Sequence, residues 1–269
     1  MLEYYLTICQ RVHQVDPNKF CYFETHSGDG VASFPDGSEQ NGSALIAASN
    51  SLRFRCVLAE AVRGDELDRN LRTKLGSIDH VMVIRGDSNV RINDILVEVP
   101  RFYHSLGFLD PTHPGELNWQ TVVAIAHHTY QYKAGGDFRL PEMLVNFPIG
   151  RIKQNAGWLE KPDSQHRQTA LANNDSFFGN EEWRQIWQQD EDLASFYTKR
   201  VLEFGYTQAY WVLVSEIEYN VPLYYLMLFI RQRKAQEVLP GMAKNLDRWR
   251  REDFIRDVYK IHDLKKWMK

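Results

Sequence analysis

Long apolar runs are missing from this chain of 269 residues. The longest, Val221–Ile230, has ten residues and includes Pro222, about half of the ~20 that a membrane-spanning helix needs. Met1–Gln10 carries an acid, no base and no small-residue cleavage site, so no secretory signal is expected either. Cysteine is scarce, with only Cys9, Cys21 and Cys56, all in apolar settings and without metal-ligand spacing. That excludes a disulfide framework and points to reduced, buried thiols in a cytoplasmic protein. Proline and glycine number 10 and 16, too few for a collagen-like or low-complexity chain. There is no internal repeat and no obvious linker. His127-His128 makes no metal site, because neighbours on a helix point apart and no carboxylate sits at a helical offset.

What is present is ordinary globular composition, 43% hydrophobic and 25% charged, with a net charge of −3. The charge is unevenly spread. From Arg231 to Lys269 there are 12 basic and 6 acidic residues, net +6, which leaves 20 against 29, net −9, for the rest. A basic end on an acidic body suits either a polyanion-facing surface or a solvated amphipathic helix.

Along the first 150 residues, short apolar runs alternate with longer mixed segments, the pattern of strand-helix units in an open, mostly parallel sheet. Strands are expected at Lys19–Glu24, Phe54–Glu60, Val81–Ile84, Ser105–Leu109 and Glu142–Asn146. Helices are expected at Ser43–Ser51 with Ser43 as cap, at Glu66–Leu75, at Ile92–Val99 before Pro100, and at Trp119–Tyr130. The turn-rich stretch Phe34–Gly42 should be a loop. A polar helical stretch covers about 155–204, where Trp183 and Trp187 should share one face as packing anchors, as should Trp211 further on. Ala209–Ile217 and Leu223–Arg231 read as an antiparallel hairpin at a sheet edge. The expected organisation is an α/β domain over 1–240 with a helical insertion, then a basic helical segment over 241–269.

In such a sheet the ligand crevice lies beyond the carboxyl ends of the strands. The first strand ends in Glu24-Thr25-His26-Ser27-Gly28-Asp29-Gly30, where Gly28 and Gly30 let backbone approach a ligand closely. The second ends in Glu60, suited to two ribose hydroxyls. The third ends in Gly86-Asp87-Ser88, where a carboxylate can accept from the amine of adenine. Asp29 inside the turn, and no helix starting at Gly30, suit a diphosphate poorly. Adenosylmethionine, cationic and without a diphosphate, fits these acids better than a dinucleotide. Glu24, His26, Gly28, Gly30, Glu60, Asp87 and Ser88 are the cofactor-site candidates; His26 is equally suited to a structural hydrogen bond.

The first-strand segment resembles the first motif of class I adenosylmethionine-dependent methyltransferases. More narrowly, Gly42-Ser43-Ala44-Leu45-Ile46-Ala47, Gly86-Asp87-Ser88-Asn89, Phe108-Leu109-Asp110-Pro111, Val145-Asn146-Phe147-Pro148, Phe177-Phe178-Gly179 with Trp183, and Pro222-Leu223-Tyr224-Tyr225-Leu226 resemble the three-Cys-motif partner proteins, in order and from about Phe20 to Gly241. That resemblance implies a Rossmann-like class I methyltransferase fold, adenosylmethionine as cofactor and a three-Cys-motif protein as partner. The cysteine motif belongs to the partner. The first motif is also similar to that of ribosomal-RNA adenine methyltransferases.

Enzymes that methylate nucleic-acid amines carry Asp/Asn-Pro-Pro-aromatic after the fourth strand, to accept from the target amine and stack on a base taken out of the stack. Here that stretch is Asp110-Pro111-Thr112-His113, with threonine for the second proline. The resemblance implies catalytic roles for Asp110, Pro111 and His113, and substrate contacts for Asn146 and Phe147. Asp110-Pro111 also suits a plain turn, and Phe147 a core ring. Arg248, Arg250 and Arg251 are candidates for phosphate contact. The functional expectation is a methyltransferase acting on a nucleic-acid base amine. The alternatives are a non-catalytic partner that keeps the fold, or a nucleic-acid-binding protein without chemistry.

Overall fold

Short apolar runs bounded by turn residues are too brief for helices, and burial on both faces lets them be apolar throughout. A computed structural model of the chain describes residue 6 and residues 19–33, 37–50, 54–131, 138–215 and 221–230. The parallel strands are β1 (Phe20–Glu24), β4 (Arg55–Glu60), β5 (Val81–Arg85), β6 (His104–Leu109) and β9 (Glu142–Phe147). Every residue of β1 is buried. Two small antiparallel pairs stand apart from the main sheet: β2 (Val31–Ser33) with β3 (Glu39–Asn41), and β7 (Tyr130–Gln131) with β8 (Phe138–Arg139).

The connecting helices are α1 (Ser43–Ala48), α2 (Gly64–Leu75), α3 (Ser88–Glu98) and α4 (Trp119–His127). The insertion is helical, with α5 (Ile149–Ala156), α6 (Gln165–Phe178), α7 (Glu182–Gln188) and α8 (Leu193–Leu202). A hairpin of β10 (Gln208–Ser215) and β11 (Pro222–Ile230) completes the main sheet.

The seven main strands lie in the order β10-β11-β9-β6-β1-β4-β5. β5, β4, β1, β6 and β9 are mutually parallel, and β11 runs antiparallel to both β9 and β10. This is the expected α/β, Rossmann-like arrangement, a mostly parallel sheet with a C-terminal antiparallel hairpin. The chain winds outward in both directions from β1, so the strand order reverses between β1 and β6, and the crevice opens at their carboxyl ends.

Three expectations change in detail. The stretch expected as a loop contains β3, which folds back on β2. Helix α3 begins at Ser88 rather than Ile92, because the Asp87 side chain accepts from the Asn89 N–H and caps it. Ser43 does not cap α1: Gly42 holds that position, and the Ser43 hydroxyl donates to Glu24 instead.

The aromatic core lies where the insertion meets the sheet. Phe147, Phe177, Phe178, Trp183 and Tyr197 are buried together, and Trp187 packs against them, as the four-residue spacing from Trp183 requires. Cys21 and Cys56 are buried free thiols, and burial raises the Cys21 pKa to about 12, which makes them inert. Cys9 lies outside the described residues. The chain divides into two units, Met1–Arg231 and Gln232–Lys269. The sequence boundary at 240/241 and Arg248, Arg250 and Arg251 all fall outside the described residues. Among those described, no helix is long and apolar enough to cross a membrane.

Candidate functional site

The turn after β1 is built on two glycines with positive φ, +58° at Gly28 and +80° at Gly30, a backbone that side chains resist. The Gly28 N–H donates to Glu60 Oε2 at 2.8 Å, and the N–H groups of Val62 and Arg63 donate to Glu60 Oε1 at 3.0 and 3.1 Å. Glu60 thereby fastens the glycine turn to the loop after β4. Arg63 closes the same junction with an ion pair to Asp29 at 2.8 Å. The hairpin β2–β3 then leaves the turn and comes back to it. Gly42 N–H donates to the Gly30 carbonyl at 2.8 Å, and a Cβ on Gly42 would sit 3.0 Å from that oxygen. The start of α1 is thus carried back to the turn although 12 residues separate Gly30 from Ser43 in the chain.

Glu24 is fully buried at the end of β1. Tyr22 Oη donates to its Oε2 at 2.9 Å, and Ser43 Oγ donates to its Oε1. Burial outweighs both bonds and raises the pKa to about 8, helped by the negative charges of Asp110 and Glu60. The carboxyl is an internal strut rather than an open ligand contact. Two residues apart on a strand, Tyr22 and Glu24 share a face, as alternation along β1 requires.

Asp110 follows β6 and is half-buried; Asn146, near the end of neighbouring β9, donates Nδ2–H to its Oδ1 at 2.7 Å. Burial raises the Asp110 pKa, the Asn146 bond and the nearby His26 oppose the rise, and Glu116 adds to it. Pro111 is buried. His113 is half-buried, and its Nδ1 accepts from the Gly115 N–H at 3.1 Å. Burial lowers its pKa, Glu116 pulls it upward and Arg151 pushes it down, so the ring is neutral at pH 7. Phe147 corrects the expectation of a stacking ring. It is 0% exposed and packs against Phe177 and Tyr197 at 5.5 and 5.2 Å between ring centres, so neither face is free for a base.

Asp87 is exposed, with Oδ1 taken by the Asn89 N–H, and Ser88 is buried at the first position of α3. His26 bonds Thr25 Oγ1 at 2.7 Å and the Glu116 carbonyl at 3.0 Å, the structural hydrogen bond foreseen as one of its two uses. Asn89 and Glu116 were missed by sequence reasoning. The Glu116 carboxylate accepts from the N–H groups of Thr112 and His113, a capping box whose three-residue spacing from His113 was legible.

Three side-chain atoms at these strand ends are buried and without a partner: Ser27 Oγ after β1, Ser88 Oγ after β5, and Asn146 Oδ1 on β9. His128 is buried against the Val99 carbonyl at 2.7 Å, and among the described residues no group of three or more His, Cys, Asp or Glu could hold a metal ion.

No protein-family model and no curated protein matches the chain. Among solved structures, it is similar to the O-methyltransferase TomG from Streptomyces achromogenes in complex with SAM, at 8% identity and a TM-score of 0.45, covering 86% of this chain and 79% of that one. It is also similar to an rRNA methylase from Streptococcus thermophilus, at 12% identity and a TM-score of 0.40, covering 86% and 97%.

Proposed function

We propose that the protein binds adenosylmethionine at the β1–β6 crevice and transfers its methyl group to an amine. The observation that carries this reading is the set of unpartnered buried atoms on Ser27, Ser88 and Asn146. Leaving such an atom unpaired costs about 1–3 kcal/mol, so a group of them at one crevice argues for a ligand that supplies the missing bonds. The partnerless atoms of His80, Arg184 and Tyr197 lie away from the carboxyl ends of the strands, since His80 precedes β5 and the other two stand on α7 and α8.

The residues suit the cofactor. The positive-φ turn at Gly28 and Gly30 carries backbone to the crevice, with the space beside Gly30 taken by Leu45 and Leu67; Glu60 Oε2 retains one lone pair for a ribose hydroxyl; and Asp87 with Ser88 can receive the base. Asp29 and Glu60 favour a cationic ligand over a diphosphate. Adenosylmethionine, when bound, supplies a methyl group already activated by a positively charged sulfur.

The chain's own contribution is positioning. Asp110 and the Asn146 carbonyl accept the hydrogens of the acceptor amine and aim its lone pair. Burial, which raises the Asp110 pKa, also fits it to take the proton released. Pro111 stiffens the chain behind Asp110, and the neutral His113 ring offers the flat surface that Phe147 does not. A nucleic-acid base amine is the acceptor we propose, with Arg248, Arg250 and Arg251 on phosphates and a three-Cys-motif protein as partner.

A second reading, a partner protein without turnover, is favoured by Thr112, which replaces a proline of the amine-methylating pattern and spends its N–H and hydroxyl on Glu116. Calorimetric titration with adenosylhomocysteine separates the two. The first reading expects a dissociation constant in the range of about 1–100 μM, and Asp110→Asn should bind within about threefold of the native chain while losing transfer on the order of 100-fold. No binding up to about 1 mM favours the second.

A further inference from the structure

One backbone oxygen, that of Glu116, gathers three of the crevice loops. It accepts from His26 Nε2 at 3.0 Å, in the turn after β1, and from Asn89 Nδ2 at 2.8 Å, just after the Asp87-Ser88 pair that follows β5. Glu116 itself belongs to the segment 110–118 between β6 and α4, which begins with Asp110. A carbonyl only accepts, so Nε2 of His26 carries its hydrogen toward it.

Asn89 has no side-chain bonding capacity left over. Its Nδ2 also donates to Asp87 Oδ1 at 3.0 Å, and its Oδ1 accepts from the Asn118 N–H and from Thr121 Oγ1, both at 2.8 Å. Two donor hydrogens and two lone pairs are all used, which gives the amide a single orientation. Between its two ends, where Asn146 Nδ2 donates to Asp110 Oδ1 and Ser176 Oγ donates to Asn118 Oδ1, the segment's other side-chain and turn bonds are internal, through Thr112, His113, Gly115 and Glu116. On its other flank it rests on α6, where a Cβ at Gly115 would meet Asn173 Oδ1 at 2.6 Å.

We infer that Asn89 is a positioning residue that couples occupancy of the cofactor loops to the Asp110-bearing segment through the Glu116 carbonyl. The inference rests on the cofactor reading above, since a ligand seated on Ser27 and Ser88 fixes the two loops that carry His26 and Asn89. With those loops fixed, both donors hold the carbonyl in place, and Asp110 is set before the acceptor arrives. Without ligand the segment opens more readily.

Amide hydrogen exchange on the full-length chain tests this. Asn89→Asp keeps both acceptor lone pairs and removes the donors. In the ligand-free chain it should speed exchange at Gly115 and Leu117 by on the order of tenfold, with the amides of β1 unchanged. Thr121→Val, which removes one bond to Asn89 but leaves the Glu116 bond, should not reproduce that change; if it does, Asn89 is merely structural. Adenosylhomocysteine should slow the same amides in the native chain and fail to do so in Asn89→Asp. Equal exchange in native and Asn89→Asp chains overturns the clasp without reference to any ligand. Ligand bound with no slowing in the native chain overturns the coupling while the cofactor reading stands. No binding at all overturns the cofactor reading and the coupling with it.

Discussion

Two buried regions of this protein flank β6, and they are built from opposite materials. On the β1–β4 side, the interior around the glycine turn is polar: Tyr22 and Ser43 both donate to Glu24, and Glu60 collects three backbone N–H groups. On the β9–β11 side, the interior is a set of rings. Phe177 stacks on Tyr197 at 5.1 Å, Phe178 on Trp183 at 6.0 Å, and Trp119 meets Tyr197 edge-on at 5.5 Å. Rings bury much area with loose demands on geometry, so they hold the fold; directed bonds hold one arrangement of loops at some expense in stability. The division places the stabilising material beside the insertion and the specifying material beside the crevice.

Breaking the aromatic side should have the largest effect on stability. Trp183→Ala leaves a cavity and removes a bond to Asp175, so it should lower unfolding free energy by about 3–5 kcal/mol in a urea titration. Adenosylhomocysteine affinity of the folded fraction should move less than about threefold. A matching loss of affinity would erase the division between the two regions.

Next comes Glu24, the most costly group on the polar side. Its carboxyl pKa is about 8 in the folded chain against an ordinary value of 4.5. The folded protein therefore holds a proton that the unfolded chain releases, and stability falls as pH rises from about 5 to about 8, then levels off. Glu24→Gln should remove that slope and gain up to a few kcal/mol over the native chain at pH 8.5, with little difference at pH 4. Parallel stability-versus-pH curves would show that the carboxyl is relieved by water.

Glu60→Ala leaves three N–H groups to find other acceptors. It should cost about 1–3 kcal/mol and weaken adenosylhomocysteine by on the order of tenfold, a joint effect expected only on the crevice side. The smallest effect belongs to the exposed Arg63–Asp29 pair. Arg63→Met should change stability by at most about 0.5 kcal/mol, and a larger loss would mean that the ion pair, rather than Glu60, closes the glycine turn.

The fold was largely legible because its strands are short, apolar and punctuated, and period distinguishes them from the helices. The hairpin β10–β11 was equally plain, as two apolar runs across a Tyr-Asn-Val-Pro turn. Long-range polar partnerships were not legible. Nothing in the spacing of Ser43 links it to Glu24, since the bond depends on Gly42 returning to Gly30. Asn89 gains its importance from Glu116, 27 residues later, and only the folded crossover brings them together. Phe147 looked available because it sits beside Asn146, yet alternation along β9 turns the two side chains to opposite faces.

The far edge of the sheet carries a consequence in time. Strand β11 lies between β9 and β10, although β10 is made first. During synthesis, β9 therefore waits with one edge bare until residues 222–230 emerge, several seconds at about 5–20 residues per second. A bare edge is a template for strand pairing with other chains. A chain interrupted anywhere between 148 and 221 is thus an aggregation-prone species rather than a smaller working protein, and cells making it have reason to finish or destroy it quickly.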